Sequence, residues 1–157
     1  MSTVIHTLVR PPLPEGMEPL TEQEKRVLEL SALGHSNSEI GAETGLGKWR
    51  LPPVLEHLTS KLGVRGCAAR GCRPAMVYIA MVNDIVDLPK PDDPGPLLED
   101  EMAYLRALAA GRTFKAHAEV YGMNVTEADH LSARVRQRLG MPRTAAHAVY
   151  LASSRLL

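Results

Sequence analysis

The sequence is poor in cysteine, carries no net charge and has no long hydrophobic run, and each of these shortages excludes a class of protein. Only two of its 157 residues are cysteines, too few for a disulfide framework. The formal net charge is zero, which argues against a general binder of polyanions. No apolar run approaches the roughly 18 residues of a membrane span, and the N-terminus has no signal-peptide pattern. We therefore expect a soluble, cytoplasmic protein.

Motifs of catalysis are also missing. There is no Ser/His/Asp set, no pair of carboxylates in an evident cleft, and no glycine loop that could hold a phosphate. The stretch GLGK at residues 45–48 is too short for a P-loop. His35, His117 and His147 are expected to cap or line helices. We predict that the protein is not an enzyme and needs no cofactor.

The two cysteines, Cys67 and Cys72, lie close together in the stretch GCAARGC. Reduced thiols in a loop are the expected state. A redox bridge is one alternative. Half of a zinc site, completed by His57, is another, although zinc takes four ligands and only three can be named.

The chain contains an internal repeat. Three glycines recur at a constant spacing of 77 residues: Gly34 and Gly111, Gly45 and Gly122, Gly63 and Gly140. Residues 20–64 align with residues 97–141 without a gap, and the first copy then carries five extra residues. A period this long indicates two duplicated small domains.

The repeat divides the chain into four segments. We predict an extended N-terminal arm over residues 1–19, a first domain over 20–86, a proline- and aspartate-rich linker over 87–96, and a second domain over 97–157. Residues 20–82 hold eight Lys/Arg against six acids, and residues 101–157 hold eight against four. Net neutrality therefore hides two mildly basic units.

Helix signals recur in both copies and predict an all-α fold with four short helices in each domain. Thr21 and Glu24 form a capping-box pattern that should open the first helix. Thr126 with Asp129 predicts the start of the third helix of the second copy. In the first copy, proline is favourable only at the first turn of a helix, so Pro52-Pro53 predicts a third helix that begins at about Pro53.

Copy one resembles the DNA-binding domain of the LuxR/GerE type, whose helix-turn-helix lies within four helices. The residues that carry the likeness are Leu20, Thr21, Glu24, Val27, Leu28, Gly34, Ser36, Asn37, Glu39, Ile40, Gly45, Lys61, Leu62, Gly63 and Val64. The resemblance implies a third helix in the DNA major groove and a fourth helix that commonly mediates dimer contacts. The chain looks like a tandem of output domains without a receiver or sensor domain.

Both copies depart from the family at the third helix. The base-reading lysine of the family falls on Pro52 in the first copy and on Asp129 in the second. The family resemblance and the basic units still favour a DNA-binding transcriptional regulator. The alternative is a degenerate scaffold that binds a protein partner, either another regulator or the transcription machinery. Trp49 would pack across a shortened turn or stack on a partner.

Two sets of candidate site residues follow from the resemblance. The residues predicted to contact double-stranded DNA are Lys48, Trp49, Arg50, Lys61, Arg65, His130, Arg134, Arg136, Arg138 and Arg143. The residues predicted to form a homodimer or partner interface through the fourth helices are Met76, Tyr78, Ile79, Val82, Tyr150 and Leu151.

Overall fold

The computed structural model describes residues 13–64 and 72–156, and these residues form eight helices and no strand. The helices are α1 (Glu22–Ala32), α2 (Asn37–Thr44), α3 (Gly47–Leu62), α4 (Cys72–Val82), α5 (Glu99–Ala109), α6 (Phe114–Val120), α7 (Val125–Arg138) and α8 (Ala145–Leu156). The all-α prediction is confirmed for this part of the chain. None of these helices is long and apolar enough to cross a membrane.

Side-chain caps set most of the helix starts. The predicted capping box of Thr21 and Glu24 is present at α1, and Ser36 caps α2. The predicted start of α7 at Thr126 is wrong, because Asn124 accepts the Glu127 backbone N–H at 2.8 Å and begins the helix earlier. Asn is as good an N-cap as Thr or better.

The predicted start of α3 at about Pro53 is also wrong. The helix begins at Gly47, and Pro52 and Pro53 lie inside it. Leu46 and Leu51, which are 4% and 2% exposed, bury their side chains in the core beside this first turn. Tertiary burial therefore holds a helical turn that local proline chemistry disfavours.

The prolines still change the helix that contains them. Because proline has no N–H, the carbonyl groups of Lys48 and Trp49, four residues earlier, receive no helical hydrogen bond. Gly47 has a φ of 69°, a conformation that glycine adopts without a steric penalty. The first turn of α3 is thus connected to the rest of the helix without the two backbone hydrogen bonds that residues 52 and 53 would normally donate.

The two halves of the chain, α1–α4 and α5–α8, pack tightly on each other. Helix α4 packs against α8 and α5, and α8 also packs against α1. Helix α1 corresponds to α5 and α4 corresponds to α8, so the α1–α8 contact and the α5–α4 contact are equivalent. Such a pair of equivalent contacts is expected for two units related by a twofold axis. The core between them contains Ala32, Val77, Ala146 and Tyr150.

The segments outside the repeats are packed as well. Leu13 and Met17 lie against the core of the first half, so residues 13–19 do not project as the predicted extended arm. Within the linker, Leu88 packs against the core between the halves, and Pro89 O accepts a hydrogen bond from the Tyr150 hydroxyl. The linker thus helps to fix one half on the other.

Candidate nucleic-acid interface

Glu24 occupies the centre of a buried polar cluster in the first half. One carboxylate oxygen accepts the Thr21 backbone N–H at 2.9 Å and lies 2.7 Å from Lys61 Nζ. The other oxygen lies 3.4 Å from His57 Nδ1. Burial of Glu24 favours its neutral form, but the hydrogen bonds from Lys61 and Thr21 outweigh burial and lower its pKa. Lys61 is therefore held by an internal partner, with a side chain only 9% exposed.

The same cluster recurs in the second half, 77 residues along the chain. Glu101 is fully buried and accepts the Leu98 backbone N–H at 2.9 Å. Arg138 Nε lies 2.6 Å from one of its carboxylate oxygens, and Arg134 Nη1 lies 3.5 Å from the other. Arg134 also pairs with Asp100 at the surface.

This recurrence changes the interpretation of three predicted DNA-binding residues. Lys61, Arg134 and Arg138 project from the third helix of their half and neutralise a first-helix carboxylate. A charge already paired inside the fold has less to offer a phosphate. The signal was present in the sequence, since an acid and a base recur together at the same two positions of each copy.

Arg143, another predicted DNA contact, joins the two halves. Its guanidinium lies 3.0 Å from a carboxylate oxygen of Glu39, a residue in the first turn of α2 in the other half. Its backbone N–H donates to His147 Nδ1 at 3.1 Å. Burial, together with the nearby charge of Arg143 and the neighbouring His35, lowers the pKa of His147. Arg143 and His147 therefore belong to the contact between the halves.

This contact makes the stability of the protein depend on pH. The folded-state pKa of His147 is lower than its ordinary value of 6.5, so the unfolded chain binds the proton more readily and stability falls as pH drops below about 6.5. A proton on Nδ1 also removes the acceptor for the Arg143 N–H. Urea midpoints at pH 7.5 and 5.5 should show this loss, and His147→Asn, which keeps an acceptor but cannot titrate, should reduce it.

The remaining pH dependence should come from His117, which is buried and whose pKa is lowered by burial and by the charge of Arg112. Glu24 and Glu39 have pKa values below 4.5 and titrate outside this window. An equal loss of stability in wild type and His147→Asn would contradict the assignment.

The first turn of α3 presents Lys48, Trp49 and Arg50, here called the basic turn, and all three are exposed. Trp49 is 82% exposed, so it does not pack across the turn, and the alternative of stacking on a partner stays a prediction. Lys48 Nζ lies 5.5 Å from the centre of its ring. These three are among the predicted DNA-binding residues, and no salt bridge within the described residues involves Lys48 or Arg50. The basic turn is thus exposed, and its two charges are unpaired among the described residues.

The equivalent surface of the second half has a different character. His130 and Arg136 are exposed there as predicted, but Glu127 and Asp129 lie on the same helix. Val120, Tyr121 and Val125, here called the apolar patch, are 66%, 57% and 77% exposed. The two halves therefore offer different surfaces although their sequences align without a gap.

Packing of the third helix also differs between the halves. Helix α3 packs against α2 and α4, whereas α7 packs chiefly against α5 and leaves a groove of about 290 Å³ beside α6. A Cβ on Gly41 would lie 3.3 Å from the Gly47 backbone, so α2 and α3 are in close contact. In the second half, these two positions are Ala118 and Asn124, both of which line the groove. The larger side chains explain why α6 and α7 stand apart.

The residues predicted for a dimer interface are used within the chain. Met76, Tyr78, Ile79, Val82 and Tyr150 are buried, and Leu151 is half-buried. Tyr78 and Val82 of α4 lie in the core of the second half. The two fourth helices thus pair with each other in one chain, and this surface is not free for a second molecule.

The predictions for Arg65 and for the two cysteines concern residues in or beside the undescribed segment 65–71. Arg65 and Cys67 lie outside the described residues. Cys72 begins α4 and is disulfide-bonded, so the expectation of a reduced thiol in a loop is not met there. The described residues contain no group of three or more His, Cys, Asp or Glu side chains that could hold a metal ion.

Comparison of the chain with protein-family models, curated proteins and solved structures finds no match.

Proposed function

We propose that the protein is a DNA-binding transcriptional regulator that carries two helix-turn-helix units paired within one chain. The observation that carries the proposal is the basic turn at the start of α3, which is exposed and has no internal acidic partner among the described residues. In a helix-turn-helix protein, the N-terminal residues of the second helix of the motif face the DNA. The basic turn lies at that position.

The chemistry of the basic turn suits a phosphate backbone. Lys48 and Arg50 provide two positive charges, and the first backbone N–H groups of a helix also attract anions. Trp49 adds a large flat surface for the sugar edge. The packing of α4 on α8 would set the two units in a fixed relation, as a dimer does in proteins of this type.

The contact should be asymmetric, with the first unit leading. At the corresponding turn of α7 the second unit has Val125 and Glu127, followed by Asp129. Carboxylates repel phosphates, so this turn does not repeat the basic one. Arg136, which is exposed on α7, remains the best candidate of the second unit for a single phosphate contact.

The double substitution Lys48→Ala with Arg50→Ala should weaken binding to genomic DNA fragments by about 10-fold to 100-fold, because each phosphate contact is a charge-assisted interaction. The slope of log K against log salt should fall by about 2. Fluorescence anisotropy across a salt series measures both quantities.

The matched control is Arg112→Ala with Lys115→Ala, which removes two exposed charges around the start of α6. It should leave affinity nearly unchanged. Arg134→Ala and Arg138→Ala are unsuitable, because they disturb the Glu101 cluster. Equal weakening by both double variants would show that binding depends on overall charge and not on the basic turn.

A protein partner is the second candidate, and the apolar patch favours it. Exposed large apolar side chains often mark a protein contact, and Val125 of this patch also lines the groove beside α6. If this surface binds the transcription machinery, purified RNA polymerase should co-migrate with the protein, and Tyr121→Ser with Val125→Ser should abolish the co-migration. Retention by that double variant would remove the patch from consideration.

A further inference from the structure

A cavity of about 790 Å³ lies where the two halves meet. The middle of α3, the first turn of α4 and the first turn of α8 form its walls, so both halves contribute. This volume lies within the range of small-molecule sites. Much of the wall is apolar, with Leu55, Met76, Pro52 and Ala146 among its members.

Arg73 is the only basic residue among the described residues that line the cavity. Its Nε atom is buried and makes no hydrogen bond. Within the described residues no carboxylate lies within salt-bridge distance of its guanidinium. Burial lowers the pKa of Arg73, since an apolar environment disfavours the charged form. Arg73 as a whole is half-buried, so its charge is partly desolvated, and an anion in the cavity would supply the partner that the described residues do not provide.

The helix starts around the cavity add positive potential. Thr144, Ala145 and Ala146 form the start of α8 and border the cavity directly. The Thr144 hydroxyl caps this helix by accepting the His147 N–H, and the first N–H groups of a helix attract anions. The arginine itself is not repeated, because the position equivalent to Arg73 in the second copy is Ala145. The site is therefore not duplicated in the described part of the second half.

Glu56 limits the charge of a ligand. It lines the cavity and is exposed, without an ion pair to Arg73. A second negative charge on the ligand would be repelled there. The site therefore suits one anionic group at Arg73 and an apolar body along α3.

We propose that this cavity binds a small amphipathic carboxylate, with the carboxylate on Arg73 and an aliphatic or aromatic body between α3, α4 and α8. Because both halves form the walls, an occupied cavity stabilises their pairing. The inference does not depend on the proposed DNA binding.

Decanoate and decanol are the probes for the test, since they share an apolar chain and differ in the charge of the head group. Decanoate should raise the midpoint of thermal unfolding of the full chain in a saturable manner. Decanol at the same concentration should raise it much less. Isothermal titration should show one decanoate per chain.

Arg73→Met should weaken decanoate binding at least 10-fold while the apo protein unfolds at the same temperature as wild type or higher, because the unpaired charge is gone. Arg26→Met is the matched control, since Arg26 is exposed on α1 and lies outside the cavity. It should bind decanoate like wild type.

Three results would overturn the proposal. Decanol could bind as tightly as decanoate, Arg73→Met could bind decanoate with unchanged affinity, or decanoate could show no saturable binding. A second substitution guards against an indirect effect of Arg73→Met. Leu55→Glu places a carboxylate on the apolar wall at a partly buried site and should also abolish decanoate binding, whereas retained affinity would argue against this location.

Discussion

Replacing Glu101 by alanine is expected to lower the free energy of unfolding by about 2–4 kcal/mol, because its fully buried carboxylate accepts charge-assisted hydrogen bonds from Arg134 and Arg138, whose own side chains are 40% exposed. The Glu101 side chain is fully buried, and Arg138 approaches it at 2.6 Å. Its removal also leaves the Leu98 N–H at the start of α5 without its acceptor. Urea denaturation at pH 7.5 would measure the loss.

The adjacent residue provides the control. Asp100 pairs with the same Arg134, but its side chain is 47% exposed, so Asp100→Ala should cost less than about 1 kcal/mol. If the two substitutions destabilise the protein equally, the cluster around Glu101 does not carry the stability assigned to it. Glu24→Ala should follow Glu101→Ala, because Lys61 depends on it in the same way.

Gly34→Ala should also be strongly destabilising, by about 2–5 kcal/mol. Gly34 has a φ of 89°, which costs any other residue backbone energy. A Cβ there would lie 2.6 Å from His147 Nδ1 and 3.2 Å from Arg143 Cβ. His147 would have to turn away and lose the Arg143 N–H, so the contact between the halves would weaken.

Gly45→Ala separates the two costs. Gly45 has a similar φ of 73°, but a Cβ there would meet nothing within 4 Å. Its substitution should cost only the backbone term of about 1–2 kcal/mol. The difference in unfolding free energy between the two variants measures the steric cost of a Cβ at the contact between the α1–α2 turn and the start of α8. Equal losses from thermal or urea unfolding would mean that His147 moves aside freely and that this contact adds no stability.

Local signals in the sequence were sufficient for much of the fold. The capping box of Thr21 and Glu24 has the predicted partners, and Gly45 and Gly63 end their helices in the left-handed conformation. These features depend on residues three or four positions apart, so helix starts and ends of this kind can be predicted from sequence patterns.

Predictions that required tertiary contacts were less successful. Pro52-Pro53 indicated a shortened helix, but burial of Leu51 preserves the first turn. Arg134 and Arg138 appeared as a free basic face because nothing local reveals that Glu101 lies beneath them. The cavity at Arg73 could not be foreseen either, since its walls come from distant parts of the chain.

The proposed contact of the basic turn of α3 with DNA is tested most directly by selection from random-sequence DNA at physiological salt, with wild type and the Lys48→Ala, Arg50→Ala variant side by side. Most of the other candidate basic residues among those described are engaged in internal pairs. We predict that wild type retains fragments with a shared motif and that the variant does not. Retention of unselected DNA only at low salt, or the same motif from both proteins, would contradict the claim.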